Sequence, residues 1–125
     1  MITEDYVSFE VAKLLKEKGF DEYCGYYSSD GEYWGYCVYN HRGKDYISAP
    51  TLQMAMKWLR EVHNLVVSVE PEINTDSELD LFYVFKIFEI KDTLTQLIYN
   101  GYELCDSYEQ ACEMAIKYCL EILIN

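Results

Sequence analysis

A chain of 125 residues is the size of one domain, and it is long enough to bury a hydrophobic core without a metal or disulfide to hold it. Half of the residues are hydrophobic, with only 6 glycines and 2 prolines, which excludes a disordered chain. The formal net charge of −12 argues against nucleic acid or an anionic membrane as partner.

Met1 to Tyr6 carries Glu4 and Asp5 and no apolar run, so no secretion signal is read there. No stretch is long and apolar enough to cross a membrane. A cytoplasmic protein is expected. The five cysteines are an odd number and are expected as free thiols.

The first helix is expected over Phe9–Lys18. Ser8 can cap it, Val11, Leu14 and Leu15 share a face with the stem of Lys18, and Gly19 can end it in a left-handed conformation. Two strands then flank the turn Ser28-Ser29-Asp30-Gly31, at Tyr23–Tyr27 and Glu32–Tyr39, because Asp-Gly between aromatic runs is a hairpin signal. A second turn at Asn40–Gly43 leads to a short third strand at Lys44–Ser48.

A second helix is expected over Leu52–His63. Thr51 caps it, Leu52, Ala55, Met56, Leu59 and Val62 form its apolar side, and Asn64 stops it. Leu65–Glu70 and Leu81–Ile90 read as strands, and Pro71–Asp80 reads as an acidic loop. A further strand is placed within Gln96–Cys105, interrupted at Asn100-Gly101. A third helix is expected over Tyr108–Leu123, with Ser107 as cap and Gln110 at the capping-box position.

The three helix starts repeat one pattern: SFEVA at Ser8, TLQMA at Thr51 and SYEQA at Ser107. Each has a hydroxyl that accepts an orphan N–H, then an alanine four residues on that lets the backbone approach its neighbour closely. The result is a single α+β domain over residues 1–125: a mainly antiparallel sheet of five or six strands and three helices, in the order α-βββ-α-ββ(β)-α.

No residue set calls for a metal or a cofactor, and no catalytic residue is singled out. The two histidines and five cysteines lack zinc spacing and contain no Cys-x-x-Cys pair. Asn74, Asp76, Glu78 and Asp80 alternate like a calcium loop, but Leu79 stands at its glycine position and Phe85 at its bidentate-glutamate position. His63 at a helix end is expected to favour its charged form. His41, Arg42, Arg60 and His63 are the candidate ligand or anion contacts.

A two-residue turn at Asp30-Gly31 would set Cys24 opposite Cys37. It would also place Tyr23 and Tyr27 on a face with Trp34 and Tyr36. Strand alternation cannot bury all of these aromatics, and tyrosine with its apolar body and polar tip suits an interface. Tyr26, Tyr27, Tyr33, Trp34, Tyr36 and Tyr39 are therefore the candidate interface, for a second copy of the chain or another protein.

The segments VSFEVAKLLKEKGFD (7–21) and SAPTLQMAMKWLREVHN (48–64), with SYEQA (107–111) at the last helix, resemble a family of short uncharacterised proteins of Bacteroides-type gut bacteria and their phages or prophages. The likeness departs between Pro71 and Gly101. It implies a bacterial or phage setting and a small accessory protein, and it brings no catalytic residues with it.

The leading expectation is thus a non-enzymatic accessory protein that acts through protein contacts. The alternatives are an acidic inhibitor or nucleic-acid mimic, which requires carboxylates gathered on one face, and an undescribed enzyme or ligand-binding domain, which requires a pocket with convergent polar groups.

Overall fold

A computed structural model describes residues 1–74 and 80–125. Among the described residues the fold is α+β, with three helices and six strands in the order expected. Helix α1 spans Phe9–Glu17, strand β1 Cys24–Tyr27 and strand β2 Tyr33–Val38. After a 3-10 turn at Asn40–Arg42 come β3 (Ile47–Ser48) and α2 (Leu52–His63). Strands β4 (Leu65–Asn74), β5 (Asp80–Lys91) and β6 (Leu94–Asn100) follow, then α3 (Tyr108–Tyr118), which widens into a π-helical turn over Cys119–Leu123.

The strands divide into two three-stranded antiparallel sheets, ordered β2-β1-β3 and β4-β5-β6. Helix α2 separates them in sequence, and α3 binds them in space by packing on β4 and β5 and touching both α1 and α2. Leu65, Phe85 and Ile87 of the second sheet meet Ala111, Cys112, Ala115, Ile116 and Cys119 of α3 in the main core. The first sheet joins the core through Cys24 and Ile47, with Tyr27 against Phe9 of α1.

Each hydroxyl cap forms as expected. Ser8 Oγ accepts from Val11 N–H at 3.2 Å, Thr51 Oγ1 from Met54 N–H at 3.1 Å and Ser107 Oγ from Gln110 N–H at 3.0 Å. Ala12, Ala55 and Ala111, four residues after each cap, are fully buried. Asn64 ends α2 at φ 58°, in the left-handed region that asparagine tolerates. Gln110 reaches one residue beyond the cap and accepts from Asp106 N–H at 2.9 Å.

The three helix starts also lie together. Val7 N–H donates to Pro50 O at 3.0 Å, Leu52 N–H to Asp5 O at 2.9 Å and Ser8 N–H to Glu113 Oε1 at 3.0 Å. A carboxylate of α3 thereby satisfies a main-chain donor at the start of α1.

Four expectations are corrected. The segment Pro71–Asp80 is not a loop throughout: β4 runs on to Asn74 and β5 begins at Asp80. Pro71 is tolerated because β4 is an edge strand and Pro71 faces Tyr83, whose N–H and C=O are spent on Cys105 at 2.9 and 2.8 Å. Asp76 and Glu78 of the calcium-like pattern lie outside the described residues.

The last strand starts earlier than expected and stops at Asn100. Asp92 and Thr93 carry φ 51° and 69° in a two-residue turn between β5 and β6 that contains no glycine. The third strand shortens to two residues because Lys16 Nζ occupies the carbonyls of Gly43 and Tyr46, at 2.6 and 2.7 Å, ahead of it.

The fourth correction concerns the first hairpin. Its turn is longer than two residues: Ser28 N–H donates to Glu32 O at 2.8 Å, and Tyr27 faces Tyr33. A register shift after Tyr26 then sets Cys24 opposite Val38. Cys24 is buried and Cys37 exposed, so the two are not facing partners, and all five cysteines are free thiols.

Candidate binding surface

Strand β2 is the edge of the first sheet, and Tyr33 through Cys37 are all exposed. No residue from Tyr33 to Asn40 is charged, in a protein of net charge −12. Edge strands are usually protected by lysine or proline. This one has neither, and the register shift opposite Gly25 is its only irregularity.

The true register regroups the aromatic residues. Tyr26 faces Trp34 and Tyr27 faces Tyr33. On the outer face the rings of Trp34 and Tyr36 are parallel within 10°, with centroids 6.4 Å apart. Trp34 is 42 % and Tyr36 70 % exposed. Tyr26 is half-buried beside Tyr46, 5.0 Å away edge to face.

On the inner side the half-buried Tyr27 donates its hydroxyl proton to Val7 O at 2.7 Å. Tyr33 lies over Gly25 and beside Tyr6, with ring centroids 5.3 Å apart. Its phenol is pushed up to about 12, first by burial of the hydroxyl and then by the neighbouring Tyr6 hydroxyl.

Two grooves continue the aromatic surface. One, of about 330 Å³, is lined by Tyr23, Cys37, Val38, Tyr39 and Arg42. The other, of about 300 Å³, lies between Tyr23 and Tyr39 on one wall and the Met54, Trp58, Glu61, Val62 face of α2 on the other. Residues at spacings of four, seven and eight line one side of a helix. Exposed Met54 and Val62 therefore extend the apolar surface along α2.

The expected ligand contacts do not converge. His41 is committed to Asp21: its Nδ1 lies 2.8 Å from Oδ2, and its main-chain N–H donates to Oδ1 at 3.0 Å. The side-chain hydrogen bond from the His41 ring is the first reason the Asp21 carboxyl sits below the usual carboxylate range. His63 packs edge-on against Trp58 with its Nε2 buried and without a partner among the described residues. Burial holds its imidazole below the ordinary value, so the expected preference for the charged form is overturned; desolvation outweighs the helix end. Arg42 and Arg60 are exposed, and Arg42 alone of the four lines a groove of the aromatic surface.

Among the described residues no group of three histidine, cysteine or carboxylate side chains is placed to hold a metal ion. Among the described residues no helix is long and apolar enough to cross a membrane.

Elsewhere, the meeting point of the three helix starts forms a groove of about 540 Å³ that the sequence did not reveal. Asp5, Glu10, Glu109 and Glu113 line it against one base, Lys117. Lys117 Nζ lies 2.9 Å from Glu10 Oε1, and that contact holds the Glu10 carboxyl below its usual range. No spacing in the chain points to this groove, because its carboxylates come from the amino-terminal segment, α1 and α3.

No protein-family model, curated protein or solved structure matches the chain.

Proposed function

We propose that the protein is a small non-enzymatic accessory protein that binds another polypeptide through the aromatic surface of β2 and the adjoining grooves. The observation that carries this is strand β2 itself: an edge strand, uncharged, with consecutive residues exposed on both of its faces. A soluble domain rarely leaves stacked rings and an open row of main-chain groups to water without a use. The likeness of the helical segments to small bacterial and phage proteins agrees with an accessory role.

The test is capture of partners by the whole protein with cross-linking, comparing the wild type with Trp34→Lys/Tyr36→Lys. Cross-links at β2 and Tyr23, and partners lost from the variant, support the proposal. Partners retained in full by the variant end it.

A second reading is favoured by the groove at the helix starts, where four carboxylates face one lysine. There the protein would meet a basic partner. Binding through that groove would weaken steeply between low and physiological salt and fall in Glu109→Gln/Glu113→Gln. It would be untouched by substitutions in β2.

A further inference from the structure

We infer that the outer face of β2 is built to take an arginine side chain of the partner, with the guanidinium between the rings of Trp34 and Tyr36 and its charge favoured at longer range by Glu32, on the far side of Trp34. This rests on the proposal that β2 is a protein-binding surface, and it names the chemical group bound there.

The geometry starts from strand alternation. Residues two apart project from the same side of a strand, so Glu32, Trp34 and Tyr36 form one row. The parallel rings of Trp34 and Tyr36 confirm that these two share a side. Glu32 continues the ladder by one rung, its carbonyl accepting from Ser28 N–H at 2.8 Å. Its side chain is exposed and has no cationic partner among the described residues.

Ring spacing selects the shape of the ligand. A group midway between centroids 6.4 Å apart lies about 3.2 Å from each, well inside the ~6 Å reach of a cation–π contact. Van der Waals contact needs ~3.5–4.0 Å, so only a flat group fits, after the exposed rings spread by roughly half an ångström. A guanidinium is planar and weakly hydrated on its faces, and it stacks on aromatic rings. A lysine ammonium is compact and strongly hydrated, and suits such a slot less well.

Charge selects the sign. The protein carries −12 overall, and the turn beside the slot adds Asp30 to Glu32. The Asp30 carboxyl is itself held by Ser28 Oγ, which leaves Glu32 as the free acceptor of the row. The gap between the rings is thus neutral and aromatic, with a carboxylate one ring away, and it favours a planar cation through the field rather than through a direct contact.

The test uses the full chain labelled with 15N and four short peptides, identical except for a central arginine, lysine, citrulline or phenylalanine. Binding is followed through the indole N–H resonance of Trp34, assigned with Trp34→Phe because Trp58 is the only other tryptophan. The arginine peptide is expected to shift that resonance saturably and to bind about tenfold or more tightly than citrulline. Tyr36→Ala should abolish the shift. Glu32→Gln should weaken binding severalfold and flatten its salt dependence. All three positions are exposed, so the variants should fold, and an unchanged melting temperature checks this.

Equal binding of citrulline or phenylalanine overturns the arginine assignment while leaving the wider binding proposal standing. So does a lysine peptide that matches arginine. No shift with any peptide up to millimolar concentration overturns the slot, and the cross-linking comparison then decides separately whether β2 binds protein at all.

Discussion

The carboxamide of Asn40 answers the main-chain N–H of Ser48: its Oδ1 accepts that bond at 2.7 Å, and its Nδ2 donates to Phe20 O at 2.5 Å. Asn40 is almost fully buried, so both main-chain groups depend on it for a partner away from water. It fastens the end of the first helical segment to β3 and holds Tyr39 at the mouth of the grooves. Asn40→Leu should lower stability by about 2–4 kcal/mol, since each orphaned buried group costs roughly 1–3 kcal/mol. Urea unfolding should show a lower midpoint with an unchanged slope.

Gly101 and Gly35 should respond oppositely to alanine. A Cβ at Gly101 would lie 2.9 Å from Phe85 O and 3.1 Å from the Tyr99 ring, in a rung where Gly101 N–H donates to that same carbonyl. Backbone cannot give way cheaply, so Gly101→Ala should cost about 1–3 kcal/mol. A Cβ at Gly35 meets nothing within 4 Å. Gly35→Ala should be neutral, or stabilising by up to about 1 kcal/mol through the unfolded chain. Thermal melts of the two variants side by side test the contrast.

His63 predicts a pH dependence of known sign. Its folded-state pKa is depressed by burial, so the unfolded chain takes up a proton on this group before the folded one does. The stability it contributes is complete above the ordinary histidine value of 6.5 and is lost as pH falls through that value towards the folded one. His63→Phe keeps the edge-on contact with Trp58 but removes the titration. The loss of melting temperature between pH 7.5 and 5.5 should be smaller in the variant than in the wild type, and equal losses would contradict the assignment.

Cysteine reactivity should single out one thiol. Cys37 is exposed, and the other four are buried. Burial pushes Cys112 up to about 11 and Cys119 up to about 12, and raises Cys24 and Cys105. The thiolate is the reactive form. A thiol reagent at pH 8 should modify one cysteine per chain rapidly, mapped to Cys37, and the remainder only after denaturant is added. Early modification of Cys119 would show that the α3 core opens in the native state.

The helices were legible because their signals are local. A hydroxyl cap at Thr51, an alanine one turn on and a left-handed stop at Asn64 lie close together in sequence, and α2 falls on Leu52–His63 as the pattern indicates. The strands were legible as runs but not as rungs. Ser28 draws Glu32 into the first hairpin, and the turn lengthens from two residues without altering the apolar pattern. Asp92 and Thr93 make a tight turn without glycine, which composition does not announce. The aromatic candidates were visible by their crowding, but which of them are free was not: Tyr27 is tied to Val7, while Trp34 and Tyr36 are left on the outer face.

Composition and periodicity by themselves determined an acidic α+β domain, its three capped helices and an excess of tyrosine that no single strand pair can bury. These follow from steric and hydrogen-bond preferences acting over a few residues. Only the tertiary structure decided that the strands split into two sheets, that β2 is an edge, that the Nε2 of His63 is buried, and that carboxylates of the amino-terminal segment, α1 and α3 gather in one groove. Those outcomes depend on contacts between residues far apart in the chain, whose register one extra turn residue can shift.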